Sequence, residues 1–539
     1  MEEPQTPLLR PDGNLTSNNQ EKCNEFARYL HSVHCTPDNP LFDQNFKQEI
    51  DRLIAEENTH SEAESIPPIC VAALNELLAE SKSKSAPGDD GITYAVLKKC
   101  SDNTKRVICD LINLCLKENT FPILWKKAKV RMVPKPGRDW KLAANYRPIS
   151  LLPCLGKIFE RYIYKYLLIE LHQKNFFNKN QAGFRKGRSG QEHLFRLAQG
   201  IENGFKKRHC TLGLFLDVKA AFDAVWTNGL KFKINQIGLP MQLKNLLFSF
   251  LDDRSLKVNI DGTWSERVEL RAGTPQGSIL SPILYLIFVN DMTDSLDLSN
   301  VEASQYADDV GMWTTQADAR IAEATIQREL SKLEEWCRTW QVSLHPAKSK
   351  LVLYTRCPRH KQHLPDGPSV TIFGEKVDAS YEAKFLGVTF DARLTWEPQT
   401  RQIIAKAYKR LNLLRSISAV AETPPRPDVM KNLYTHSIRP IFEYCTLCII
   451  NAAETHINKI QLIQNQAMRI ILKTPAYVSI KDLHDSAGLP LIKEHLIECA
   501  KKGLSRMEKS SPLIQSVISD HRNVAHVKEN ESALDVINK

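Results

Sequence analysis

The stretch SQYADDVGMW, Ser304–Trp313, sets two adjacent carboxylates, Asp308 and Asp309, inside a run that otherwise reads as strand. Asp is depleted in strands, and neighbouring carboxylates repel. Taken alone, the tetrapeptide YADD reads as a plain bend, because Asp is a favoured turn residue. Its flanks, VEASQ before and VGMWTT after, make the whole segment strand–turn–strand with the two acids at the tip.

A second acid has a comparable setting. In TLGLFLDVKAAFDAVW (Thr211–Trp226), LGLFL is a continuous apolar run, as expected of a strand covered on both faces, and Asp217 stands at its C-terminal end. The following VKAAFDAVW has a helical pattern. If the two strands are neighbours, three carboxylates converge at one sheet edge. Unneutralised, such a cluster is forced to bind protons. Divalent cations relieve it, and hard oxygen ligands suit Mg²⁺, which keeps water and substrate phosphates in its shell. Two such ions, about 3.5–4 Å apart, clamp the attacking and leaving oxygens of an in-line phosphoryl transfer.

Composition agrees with a polyanionic partner without demanding one. The 539 residues carry a net charge of +10. Lys126–Leu152 holds eight Lys or Arg, at 126, 127, 129, 131, 135, 138, 141 and 147, against the single acid Asp139. KVRMV alternates like a strand and PKPG turns it, so the charges flank a hairpin, a suitable shape for gripping phosphates. The thirteen scattered cysteines do not form the dense, short framework of a secreted disulfide scaffold. The pair Cys445 and Cys448 has no second pair nearby for a zinc site. The longest apolar run, Ile279–Val289, is too short to span a bilayer and reads as a buried helix, with Ser281-Pro282 opening it. The N-terminus is acidic and Pro-rich, unlike a signal peptide. A soluble intracellular chain, working in cytoplasm and nucleus, is expected. Residues 1–65 are polar and turn-rich and read as a tether with one helical patch, EKCNEFARYLHSV. Residues 401–520 read as almost wholly helical.

Several segments in order resemble one family. YADD looks like the signature hairpin of reverse transcriptases. LFLDVKAAFD (Leu214–Asp223) resembles their first aspartate motif, and GTPQGSILSPILY (Gly273–Tyr285) their Gln-Gly motif. HPAKSK (His345–Lys350) is similar to the Asn-Pro and Lys-Thr loop, and FLGVTFD (Phe385–Asp391) to the primer grip. Upstream, SAPGDDGI, FPILWKKAKVRMVPKPG, NYRPISLLPCLGKIFERYI and NQAGFRKGRS resemble the finger blocks of non-LTR (LINE-type) retrotransposon enzymes, closest to the jockey-like group. The resemblance covers about residues 66–500.

The resemblance implies an α+β fold: a right-hand polymerase with fingers at 66–205, an antiparallel-sheet palm at 206–390, a helical thumb at 391–515 and a tail at 516–539. The reverse transcriptase domain proper is expected at about 118–390. The implied reaction adds dNTP to the 3′-OH of a DNA primer on an RNA template. Asp217 and Asp308, with the carbonyl of Val218, match the ligands of two Mg²⁺ ions, for which Mn²⁺ can substitute. Asp309 matches the weaker third acid, and Lys348 the proton donor to the pyrophosphate leaving group. Phe222 matches the steric gate against the sugar 2′ position, Gln276 and Gly277 the motif near the incoming nucleotide, and Lys135 and Arg147 the triphosphate holders. The chain departs from the family in its loop, where His345 and Ser349 replace the Asn and Thr. Elements of this type usually carry an endonuclease before the polymerase, and only the expected tether precedes residue 66 here, so primer extension without DNA nicking is expected. The rival reading is a decayed or domesticated RNA-binding scaffold.

Overall fold

The computed structural model describes residues 6–35, 40–57, 66–358, 360, 366–420, 425–523 and 533–538. Parts of the expected tether (1–5, 36–39, 58–65) and of the expected tail (524–532, 539) therefore lie outside the described residues. The chain is a mixture of helices and sheets arranged as two compact units. One comprises Met1–Asn178, Val218–Met292 and Glu335–Ser343, and the other Lys179–Asp217, Thr293–Glu334 and Leu344–Lys539.

In the first unit, the strand Lys127–Pro134 pairs antiparallel with Tyr146–Leu151 and parallel with Ser255–Ile260. Alternation along Lys127–Pro134 turns Ala128, Val130 and Met132 into the core and leaves Lys127, Lys129 and Arg131 on the opposite face. The expected KVRMV strand is thus present. Its buried side packs on the helix Asn19–His34, through Cys23, Phe26, Ala27 and Leu30. The tether reading fails here. The patch does form a helix, but its apolar stripe is buried, with Phe26 wholly covered and its ring edge-on to Tyr146 at 4.8 Å. A stripe of four apolar residues spaced at 23, 26, 27 and 30 has the helical repeat of a core-facing side, and the surrounding polar residues masked it.

The second unit is built on a four-stranded antiparallel sheet, in the order Glu302–Tyr306, Asp309–Gln316, Cys210–Asp217, Lys350–Tyr354. Cys210–Asp217 is an interior strand, buried along its whole length up to Asp217, as its unbroken apolar run requires. Its Phe215 lies against Phe385 of the Glu382–Phe385 and Val388–Asp391 hairpin, centroids 4.9 Å apart. The same apolar core continues through the helices Glu397–Val420, Glu454–Leu472 and Ile492–Ser510. The helical reading of 401–520 agrees with this.

One local expectation is corrected. Val218–Trp226 is a series of turns, and the helix begins only at Thr227. Ala220 has a positive φ of 50°, and the carbonyls of Phe222 and Val225 accept from the N–H groups of Thr274 and Gly273 at 2.8 and 2.7 Å. Those carbonyls are therefore unavailable to a helix of their own. The apolar run Ile279–Val289 does form the buried helix Ser281–Val289 with Pro in its first turn. Among the described residues, no helix is long and apolar enough to cross a membrane.

The first helix can be tested as a structural member. Phe26→Ala should lower unfolding free energy by about 3–5 kcal/mol, the usual range for a buried Phe truncation. Denaturant unfolding that is unchanged in this variant would mean the helix does not hold the sheet.

Candidate active site

Register decides the geometry of the acids. Asp217, the last residue of its strand, is the cross-strand partner of Asp309, and Tyr306 pairs with Asp309 across the hairpin. Directly opposed residues on an antiparallel pair project to the same face, with Cβ atoms about 4.5–5.5 Å apart. Asp308 occupies the two-residue bend between the strands, after Ala307 at φ 57°. Positive φ at the first bend position suits the right-handed twist of a tight hairpin. The bend is clamped from outside. The Gln181 side-chain oxygen accepts from the N–H of both Gly183 and Ala307, at 2.8 and 3.0 Å. Backbone bonds from Ala182 to Gln305 and from Gln305 to Asn180, each 3.0 Å, lay the NQAG segment along the strand.

The electrostatics follow from crowding. Burial, and then the neighbouring Asp217, push the Asp308 carboxyl above the ordinary range. Asp309 is pushed up to about 6, first by desolvation and then by Asp308 and Asp217. Lys348 reaches this cluster, with its Nζ 3.4 Å from Asp217 Oδ2. Its loop is docked on the same strand end: the His345 N–H donates to the Asp217 carbonyl at 2.8 Å. The Ser349 hydroxyl donates to the His345 carbonyl at 3.0 Å and accepts from the Asp217 N–H at 3.4 Å. With His and Ser in place of Asn and Thr, the loop still closes on Asp217. A crowded set of carboxylates, two of them raised by burial and by their neighbours, that already draws in a cation fits a hard divalent ion, whose binding removes the repulsion.

In the first unit, a separate group of expected residues comes together. Phe222 stacks on Tyr285, centroids 4.5 Å apart at 30°. Gln276 Nε2 donates to both carboxylate oxygens of Asp223 at 2.8 Å. Gly277 has φ 128°, and a Cβ there would stand 2.5 Å from the Ser150 carbonyl oxygen, so only glycine fits. Ser150 in turn donates its N–H to the Gln276 carbonyl at 2.8 Å. Lys135 donates to the Ala144 carbonyl at 2.9 Å and is near enough to Asp223 to lower its pKa. Arg147 stands on the exposed face of the neighbouring strand, opposite Val133. Val218 directly follows Asp217 in the chain and begins the turns described above.

Two residues of this neighbourhood escaped the sequence reading. Asp223 is the second acid of LFLDVKAAFD, and it fixes the Gln276 amide. Burial pushes its carboxyl up, while His34, the Gln276 bond and Lys135 pull it back. Glu160, in KIFERYI, is wholly buried and accepts from the Ser278 hydroxyl and from the N–H groups of Ile279 and Leu280, at 2.6 and 3.3 Å for the two amides. It thereby pins the two residues that lead into the helix behind the Gln-Gly loop with a side chain from elsewhere in the chain. An acid at a core-facing position of an apolar helix was the available signal for it.

Residues 133–390 match the family model of "Reverse transcriptase (RNA-dependent DNA polymerase)". Among curated Drosophila melanogaster proteins, the chain is 29% identical over 97% of its length to a probable RNA-directed DNA polymerase from transposon BS. It is 28% identical over 94% of its length to the RNA-directed DNA polymerase from mobile element jockey, and 30% identical over 85% to the probable polymerase from transposon X-element. It covers 57%, 54% and 50% of those relatives, so the chain spans about half the length of the curated relatives it matches.

The raised Asp309 carboxyl makes stability depend on pH. Its ordinary value is 3.8 and its folded value about 6, so as pH rises between them the unfolded chain releases this proton first. Folded stability falls across that window and stays lowered above it. In chelator-treated protein, Asp309→Asn should raise the melting temperature at about pH 7.5 and change it little at about pH 4. Equal shifts at both values would refute the electrostatic strain.

Proposed function

Since residues 133–390 match the reverse transcriptase family model, we propose that this chain is an RNA-directed DNA polymerase of the jockey-like, non-LTR type that adds dNTP to a DNA primer on an RNA template. The observation that carries the reading is the pairing of Asp217 with Asp309 beside Asp308 in the bend, which sets three carboxylates at one end of one sheet. In this reading residues 66–205 act as fingers, 206–390 as palm and 391–515 as thumb.

Asp217, Asp308 and the Val218 carbonyl would hold two Mg²⁺ ions, with Asp309 as the weaker third acid. When bound, the ions supply charge stabilisation for the attacking hydroxyl, the phosphoryl group and the leaving pyrophosphate. The chain's own groups do the rest. Lys348 is the proton donor to the leaving group. Its reach to Asp217 supports that placement. Lys135 and Arg147 hold the triphosphate, as a point charge and a forked donor respectively. Gln276 and Gly277 bring backbone and amide close to the incoming nucleotide. Phe222, backed by the Tyr285 ring, bars the ribose 2′-hydroxyl. The basic face of Lys127, Lys129 and Arg131 binds nucleic-acid phosphates without reading sequence.

The deciding experiment is extension of an oligo(dT) primer on a poly(A) template with added Mg²⁺. Asp308→Asn keeps side-chain shape and removes charge, so extension should fall by about 10²-fold or more, the scale of one lost electrostatic stabiliser. A folded variant that extends like the parent would overturn the assignment of the acids. In the same assay, Phe222→Ala should raise incorporation of ribonucleotides relative to deoxyribonucleotides, because the ring no longer meets the 2′-hydroxyl. Unchanged discrimination would leave Phe222 as packing for Tyr285.

A further inference from the structure

The first helix ends inside the network around the Gln-Gly loop of its own unit. His34, its last residue, is almost fully buried. A carbonyl only accepts, so Nδ1 carries a proton and donates to the Ala272 carbonyl at 3.0 Å. The other ring nitrogen, Nε2, lies 3.9 Å from Asp223 Oδ1, beyond hydrogen-bond length; because Nδ1 keeps its proton for the Ala272 carbonyl, Nε2 holds the carboxylate as an ion pair in the doubly protonated ring. The His34 carbonyl accepts from the Arg271 N–H at 3.2 Å. One residue therefore grips the segment entering the Gln-Gly loop twice, at Arg271 and Ala272, and also faces the carboxylate that holds Gln276. The packing is close: Gly273 has φ 90°, and a Cβ there would sit 2.4 Å from the Asp223 carbonyl oxygen and 2.8 Å from His34 Nδ1. Gln276 has both Asp223 oxygens as partners for its amide nitrogen, so whatever fixes Asp223 fixes the direction of that amide.

Resting on the polymerase reading above, we propose that His34 is a positioning residue for nucleotide binding: it fixes Asp223, and through Asp223 the amide of Gln276. Orientation is the whole of its contribution. The ring touches no expected substrate position, but it stands between a carbonyl of the loop and the carboxylate that aims the loop's amide. A misaimed amide weakens nucleotide binding without removing a reacting group, so the loss falls on KM for dNTP rather than on kcat. Tyr29 and Lys135 also face Asp223, so the carboxylate keeps a polar neighbourhood when His34 is removed. The fold of the loop then survives for the measurement.

The test is a mutant cycle in the full chain. His34→Ala and Asp223→Asn should each raise KM for dNTP about fivefold to tenfold with kcat little changed. His34→Ala should add almost nothing to Gln276→Ala, because residues acting through one group are non-additive. His34→Asn keeps a donor for the Ala272 carbonyl but presents nothing to Asp223. It should melt like the parent and still show the raised KM. Additive effects of His34→Ala and Gln276→Ala, or a parental KM in His34→Asn, would overturn the proposal. A crystal structure of the His34→Ala protein tests the same link without reference to activity: Gln276 displaced from Asp223 supports the proposal, and Gln276 still on both Asp223 oxygens refutes it. A parent chain that extends no primer would instead sink the polymerase reading.

Discussion

Like charge at the end of one sheet is the constraint around which the second unit is organised. Asp217 and Asp309 are cross-strand partners and Asp308 sits in the adjoining bend, so burial first, and then repulsion from the neighbouring carboxylates, raises the proton affinity of Asp308 and Asp309. Nothing in a sheet ladder compensates for that repulsion. It is held by the surroundings: a buried interior strand that cannot slip register, the Gln181 amide pinning the bend, and the His345–Ser349 loop bonded to both backbone groups of Asp217. A slip of one residue would exchange the two buried faces of Cys210–Leu216 and misfit the close packing around Leu212, Leu214 and Phe215, so the core that buries them also fixes where the acids stand. Hydrophobic burial thus maintains an arrangement that electrostatics alone would disperse.

The neighbourhood of the Gln-Gly loop in the first unit is built differently, from irregular backbone. Val218–Trp226 and Gly273–Ser278 are tight segments whose N–H and carbonyl groups satisfy one another, and a buried carboxylate, Glu160, bonds the amides that lead into the helix that follows. Irregular backbone survives in a core only when such groups are paired. Each partner therefore has a positional consequence. Asp223 orients Gln276, Ser150 sets the approach to Gly277, and Phe222 is seated by Tyr285. The N-terminal helix belongs to this scheme, since it covers the basic hairpin's sheet and ends on the segment entering the Gln-Gly loop. A segment that composition marks as polar is structural because four apolar residues fall on one face of it.

By itself the sequence determined the strand–turn–strand placement of Asp308 and Asp309, the buried strand ending at Asp217, the alternating basic strand, the apolar helix after the Gln-Gly loop with Pro282 in its first turn and the helical C-terminal region. These follow from local periodicity and turn chemistry, which are written in neighbouring residues. The family resemblance rested on such short blocks as well. Local pattern misjudged Val218–Trp226 for a related reason. Its residues favour helix, but their carbonyls are claimed by a loop fifty residues onward.

Only the tertiary structure decided which elements meet. It set the register that opposes Asp217 to Asp309, the reach of Lys348 to Asp217, and the service of Asp223 and Glu160 to a distant loop. It also made a core helix of the supposed tether. Each of these is a contact between residues remote in sequence. The energy of such a contact depends on burial and distance, and neither quantity is encoded in the residues on either side.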